Sequence, residues 1–205
     1  MKLSRRRIFA NAICDKIIAI LDNPESTLDF VTSVSKGDLS LLPEPDSFKE
    51  FMPAIIIDID SINNIAATYS KSIISSEYYF NIRYLKYYDT ELTYVIKQQA
   101  IDEAEKIADV LLDEGNFQLD SKDPVIRNKC LITDIDTSKI FGHILNASLP
   151  NILINSAETL IFKNLELPVI VVEMDYIVQF RTLSKDPMAR LGNRSEITSS
   201  AMVAG

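Results

Sequence analysis

Pairs of carboxylates two residues apart are the feature of this sequence that most resembles catalytic machinery. The three pairs are Asp58 with Asp60, Asp134 with Asp136, and Glu173 with Asp175. Two-residue spacing on a strand places both side chains on one face, and Mg²⁺ prefers such oxygen ligands. One hypothesis is therefore a metal-dependent hydrolase or nuclease. The alternative, which we favour, is that these are the solvent faces of amphipathic strands, because no lysine or histidine base stands at a recognisable offset.

Other signals of catalysis are weak. The single histidine, His143, has no carboxylate or cysteine at ligand spacing, and Cys14 and Cys130 lie too far apart in sequence to form a metal-binding motif. The sequence contains no nucleophile elbow, no Walker-type glycine loop and no dinucleotide-binding fingerprint. We therefore expect no catalytic residues, no cofactor and no metal site, and a protein that is not an enzyme.

Composition narrows the class of protein. The chain has 205 residues, 47% of them hydrophobic, enough for one sizeable core plus extended arms. A net charge of −8 argues against a general nucleic-acid binder. The start of the chain lacks the features of a signal peptide, and no apolar run reaches the roughly 20 residues that a membrane-spanning helix needs. We expect a soluble intracellular protein.

The clearest element is a strand that leads into a long helix. Phe80, Ile82 and Tyr84 alternate with polar residues, which predicts a half-buried strand over 77–86. Helical spacing of apolar residues then predicts a helix over 90–114, with Asp89 or Thr90 as its N-cap and Gly115 at its end.

The remaining elements complete an α+β prediction. They are a helix at 4–22, strands at 52–60, 130–137 and 169–181, and two segments at 151–154 and 159–162 that could be short strands or loop anchors. Residues 61–64 are rich in turn formers. We predict a single, mostly antiparallel sheet packed by the N-terminal helix and the long central helix. The core domain would span 1–182, with a long connector at 23–50, and an extended C-terminal arm would follow at 183–205.

Charge is distributed unevenly along the chain. Between Asp89 and Glu114, eight carboxylates stand against two lysines, whereas Arg5, Arg6 and Arg7 open the first helix, where the helix dipole disfavours cations. Both features could be plain solvated surface. Alternatively, opposite charges on different faces suit head-to-tail contacts that close into a ring. The predicted subunit-contact residues are Arg5, Arg6, Arg7, Asp102, Glu105, Asp109, Arg190 and Arg194.

The order of elements resembles that of a known family. A helix opens the chain, a strand begins at Pro53, a strand with Tyr79-Phe80-Asn81-Ile82-Arg83-Tyr84 follows, then the helix Ala100–Leu111 and the final strand Val169–Arg181. Over residues 4–22 and 52–182 this resembles the tail terminator family of tailed bacteriophages, also called tail completion or tail-to-head joining proteins.

The resemblance implies a small α/β sheet packed by helices, in a hexameric ring that caps the tail tube and ends its growth. It implies three partners besides the chain itself: the tail tube protein, a head-side connector or stopper protein, and DNA that passes through the lumen without specific binding. No membrane is involved, and the protein would be assembled in the host cytoplasm into the neck of the virion. The connector 23–50, the segment 138–167 and the C-terminal arm are longer than in compact members, which leaves open another head-to-tail connector or oligomeric adaptor.

Overall fold

The computed structural model describes residues 5–23, 27–37, 48–65, 73–112, 144–147, 150–162 and 165–183. They form an α+β fold, as predicted. In chain order the elements are α1 (Arg5–Leu21), β1 (Ser33–Lys36), α2 (Phe48–Phe51), β2 (Ala54–Ile65), β3 (Ile73–Tyr87), α3 (Tyr94–Leu112), β4 (Ile144–Ala147), β5 (Asn151–Phe162) and β6 (Leu165–Leu183). None of the helices in these ranges is both long and apolar enough to cross a membrane.

All six strands belong to one sheet. The order is β1-β2-β3-β6, and β4 and β5 follow one another along the far side of β6. β1 pairs with β2 in parallel, and every other described pair is antiparallel. The prediction of a single, mostly antiparallel sheet is therefore confirmed.

One face of the sheet carries the main core. Ile57, Ile82 and Met174 form a row across β2, β3 and β6, and all three are fully buried. The helix α1 packs on β1 and β2, α3 packs on β5 and β6, and the two helices touch each other. Burying one such side chain stabilises the fold by about 1.5–3 kcal/mol. The alternation that predicted β3 is confirmed, since Phe80, Ile82 and Tyr84 are all buried on this face.

The opposite face is divided between apolar and polar residues. At one end lies a smaller buried cluster that includes Ala54, Ile56, Leu85 and Val171. Further along the same strands the positions become polar, with Asp58 on β2 opposite Asn81 on β3. Strands with one fully apolar face and one mixed face are typical of antiparallel sheets.

The predicted connector 23–50 is not devoid of secondary structure. It contains β1 and the start of α2, and β1 extends the sheet by pairing Ser33 with Ala54 through Lys36 with Ile57. A four-residue strand is too short to show a periodic pattern in the sequence. Its pairing partner, β2, begins about twenty residues later, so no local pattern reveals the contact either. The predicted turn at 61–64 is also wrong: these residues continue β2, and a bulge between Ile59 and Ser61 absorbs one extra residue.

The long helix begins later than predicted. The side-chain oxygen of Thr93 accepts a hydrogen bond from the backbone N–H of Ile96 at 3.4 Å, so Thr93 is the N-cap. Asp89 instead accepts a hydrogen bond from Lys49 Nζ at 2.8 Å. The predicted stop at Gly115 lies outside the described residues.

The segments at 151–154 and 159–162 belong to one strand, β5, whose register shifts between Ile154 and Ala157 and again between Thr159 and Ile161. β6 continues to Leu183, one residue into the predicted arm. The predicted strand at 130–137 and the rest of the arm, 184–205, lie outside the described residues.

Candidate functional site

The acidic surface predicted on α3 is exposed. Asp102, Glu105 and Asp109 all face solvent, at the spacing that brings side chains together along one side of a helix. Within the described ranges none of the three makes a hydrogen bond or an ion pair. All three are exposed, which a contact with a cationic surface requires.

Glu103, on the same helix, turns the other way. It accepts a hydrogen bond from Tyr84 Oη at 2.6 Å and binds Lys86 Nζ at 2.7 Å and 2.8 Å through its two oxygens. Burial, reinforced by this hydrogen bond, raises the pKa of the Tyr84 phenol well above its ordinary value. Glu103 is therefore a structural residue that attaches α3 to the sheet.

The basic residues of the predicted interface are only partly described. Arg5, Arg6 and Arg7 lie in the first turn of α1, as predicted, and the Arg7 side chain is exposed. Of the Arg5 and Arg6 side chains nothing is described, and Arg190 and Arg194 lie outside the described residues. α1 packs on β1 and β2, and α3 packs on β5 and β6, so the two helices lie beside each other on the core face, with α1 towards the β1 edge and α3 towards the β5 edge.

The carboxylate pairs are engaged in contacts within the sheet. Glu173 Oε1 accepts a hydrogen bond from Arg83 Nε at 3.0 Å, and Asp175 Oδ1 accepts one from Asn81 Nδ2 at 3.5 Å. Asp58 Oδ1 accepts the neighbouring backbone N–H of Ile59 at 2.7 Å.

The first carboxylate pair does not share one regular strand face. The bulge between Ile59 and Ser61 interrupts the alternation at Asp60, which is exposed, whereas Asp58 is half-buried. No group of three or more histidine, cysteine, aspartate or glutamate side chains in the described part of the chain has the arrangement of a metal site. Asp134, Asp136 and His143 lie outside it.

Among the described residues of this face, two polar side-chain atoms are buried without a hydrogen-bond partner. They are Asn81 Oδ1 and Arg83 Nη1, on neighbouring same-face positions of β3. A buried group left without a hydrogen bond costs about 1–3 kcal/mol. The Arg83–Glu173 ion pair and the Asn81–Asp175 hydrogen bond therefore link β3 to β6 without satisfying every polar atom of these side chains.

Sequence reasoning missed the open edge of the sheet at β5. Among the described strands, β5 pairs only with β6. Leu153 is 50% exposed and Ile161 is 70% exposed. A groove of about 420 Å³ runs along Asn155–Ile161 and reaches Val171 and Glu173 of β6. The available signal was a twelve-residue stretch whose single charged residue is Glu158.

Comparison with known proteins leaves the family open. No protein-family model matches this chain, and a search of curated proteins finds no significant match.

Proposed function

We propose that this chain is a structural protein of a tailed-phage neck, a tail terminator that forms a ring on the end of the tail tube. The ring would end polymerisation of the tube and join the tail to the head. The α+β architecture supports this proposal, because one sheet packed by an N-terminal and a central helix is what the resemblance in element order implies.

The observation that carries the proposal is the opposite charge of the two helices. Of the five charged residues in α1, four are basic, whereas four of the six in α3 are acidic. α1 lies over the β1 end of the sheet and α3 over the β5 end. Opposite charges directed towards the two different edges of one sheet favour a head-to-tail contact, and such contacts close into a ring when the rotation permits.

The partners follow from this role. The chain would bind copies of itself, the tail tube protein and a head-side connector or stopper protein. DNA would pass through the lumen without specific binding, consistent with the net charge of −8, which disfavours adhesion to phosphates. No catalytic group or cofactor is needed for any of these steps.

The first test is the mass of the purified protein in solution, with and without the tail tube protein. We expect a hexamer, or a monomer that becomes one on meeting the tube. A monomer under both conditions would contradict the proposal. A defined ring that ignores the tube would instead indicate another oligomeric adaptor.

Charge reversal tests the contact itself. Replacing Arg5, Arg6 and Arg7 by glutamate should weaken assembly at least tenfold, whereas the fold should remain intact, because anions suit the start of a helix. The matched variant reverses Asp102, Glu105 and Asp109 to lysine. Mixing the two variants should restore mixed rings, since each carries the charge that the other lacks. Unchanged assembly of the arginine variant would refute this interface.

A further inference from the structure

The sheet ends in two different edges. β1, with four residues, pairs only with β2 among the described strands, and β5, with twelve, pairs only with β6. Natural edge strands are normally protected by charges, prolines or short length. β5 has one charged residue, no proline and two exposed apolar side chains, Leu153 and Ile161. Such an edge is prone to pair with another strand.

The pairing register of the sheet places β1 and the middle of β5 in the same rows of residues across the sheet. Lys36 on β1 lies in one row with Ile57, Ile82, Met174 and finally Ile154 on β5.

A second row, two residues along, leads from Val34 on β1 through Ile55, Tyr84 and Val172 to Ala157 on β5. β1 is therefore level with residues 154–158, where the groove beside β5 begins. Between these two rows, Ser35 on β1 is level with Asn155 and Ser156 on β5, where the pairing of β5 with β6 shifts its register.

The strand directions are also compatible. β1 runs parallel to β2, and three antiparallel steps lead from β2 through β3 and β6 to β5. β5 therefore runs opposite to β1. If a second copy continued the sheet in the same orientation, its β1 would meet β5 as an antiparallel neighbour, which is the slightly more stable kind of pair.

We propose that β1 of one copy pairs with residues 154–158 of β5 in the next copy, so that one sheet runs through neighbouring subunits. This inference rests on the proposed ring and specifies which edges join. Charge supports a second copy as the occupant, because the same contact brings the arginine-rich α1 to the acidic α3.

An exposed aromatic side chain lies next to β1. Phe51 is 45% exposed, and its carbonyl accepts a hydrogen bond from Ser33 Oγ at 2.9 Å. In the groove beside β5, the exposed side chain of Ile161 offers apolar surface to this ring.

The test is cysteine cross-linking in a Cys130→Ser background, where the remaining Cys14 is buried. Ser35→Cys is combined in turn with Leu153→Cys, Ser156→Cys and Glu158→Cys, which together cover a stagger of about two residues in either direction. All four positions are exposed, so the substitutions should leave the fold intact. Side chains directly opposite in neighbouring strands lie about 4.5–5.5 Å apart at Cβ, close to disulfide distance.

Under mild oxidation, at least one double variant should give a ladder of covalent multiples on a non-reducing gel, and no single variant should. Dimers from a single β5 variant would instead show a two-fold contact between β5 edges and would overturn the inference. If the protein has the mass of a ring but no double variant gives a ladder, the inference is also overturned, while the proposed ring remains supported. A chain that stays monomeric with and without the tail tube would refute both.

Discussion

The partly buried ion pair between Lys86 and Glu103 gives a stability prediction that depends on the structure alone. Glu103→Ala would leave the hydroxyl of Tyr84, a fully buried residue, without its acceptor. It would also leave the Lys86 ammonium without a counterion at a side-chain exposure of 21%. Removing one partner of a fully buried pair costs about 3–5 kcal/mol. Because this pair keeps some contact with water, we expect a loss of about 2–4 kcal/mol in the free energy of unfolding.

The matched control is Glu105→Ala, two positions along the same helix. It removes the same side chain with the same change in helix propensity, but Glu105 is exposed, so the expected change is within about 0.5 kcal/mol. Tyr84→Phe removes only the hydroxyl and should cost about 1 kcal/mol. The assay is urea unfolding followed by circular dichroism. If Glu103→Ala and Glu105→Ala agreed within about 0.5 kcal/mol, the assigned role of Glu103 would be wrong.

Two further predictions concern Cys14 and Asp58. Burial raises the pKa of the Cys14 thiol from 9.0 to about 11, so below pH 9 its thiolate population is about a hundredfold smaller than in the unfolded chain. In a Cys130→Ser background, alkylation of Cys14 at pH 8 should be at least about a hundredfold slower in the folded protein than in the protein unfolded by urea. Similar rates in the two states would contradict the burial of Cys14. Since the folded pKa is the higher one, the associated stability is complete below pH 9 and is lost as the pH rises towards 11. Asp58→Asn should leave assembly unchanged, and chelators should have no effect; magnesium-dependent hydrolysis that this substitution abolishes would instead establish the hydrolase alternative.

The elements that sequence reasoning located correctly are the long and strictly periodic ones. β3, β6 and α1 each repeat their apolar period over ten or more residues, and one face of each is buried in the core. When the apolar residues of a segment repeat at the period of a helix or a strand and all of them are buried in the core, the sequence periodicity alone locates the element. The exposed acids Asp102, Glu105 and Asp109 followed from the same reasoning, because they occupy the outer side of a helix whose apolar stripe was already clear.

The misplaced features depend on contacts between distant residues. β1 exists because Ser33 meets Ala54 across the sheet, which no local pattern reveals. Glu103 is one of the eight carboxylates counted between Asp89 and Glu114, yet Lys86 and Tyr84 on β3 supply its partners. Thr93 is the N-cap, whereas Asp89 accepts a hydrogen bond from Lys49, about forty residues earlier in the chain.

The difference between the two ends of the sheet also decides which kind of symmetry the proposed assembly should have. A two-fold contact joins identical surfaces, so a contact between two β5 ends would bring two copies of α3 together. Their exposed acids, Asp102, Glu105 and Asp109, would then face one another, and like charges brought together at an interface are unfavourable. Joining the β5 end to the β1 end instead matches acids with the arginines of α1 and pairs β1 with the middle of β5 in the neighbouring copy. We therefore expect closed rings rather than dimers.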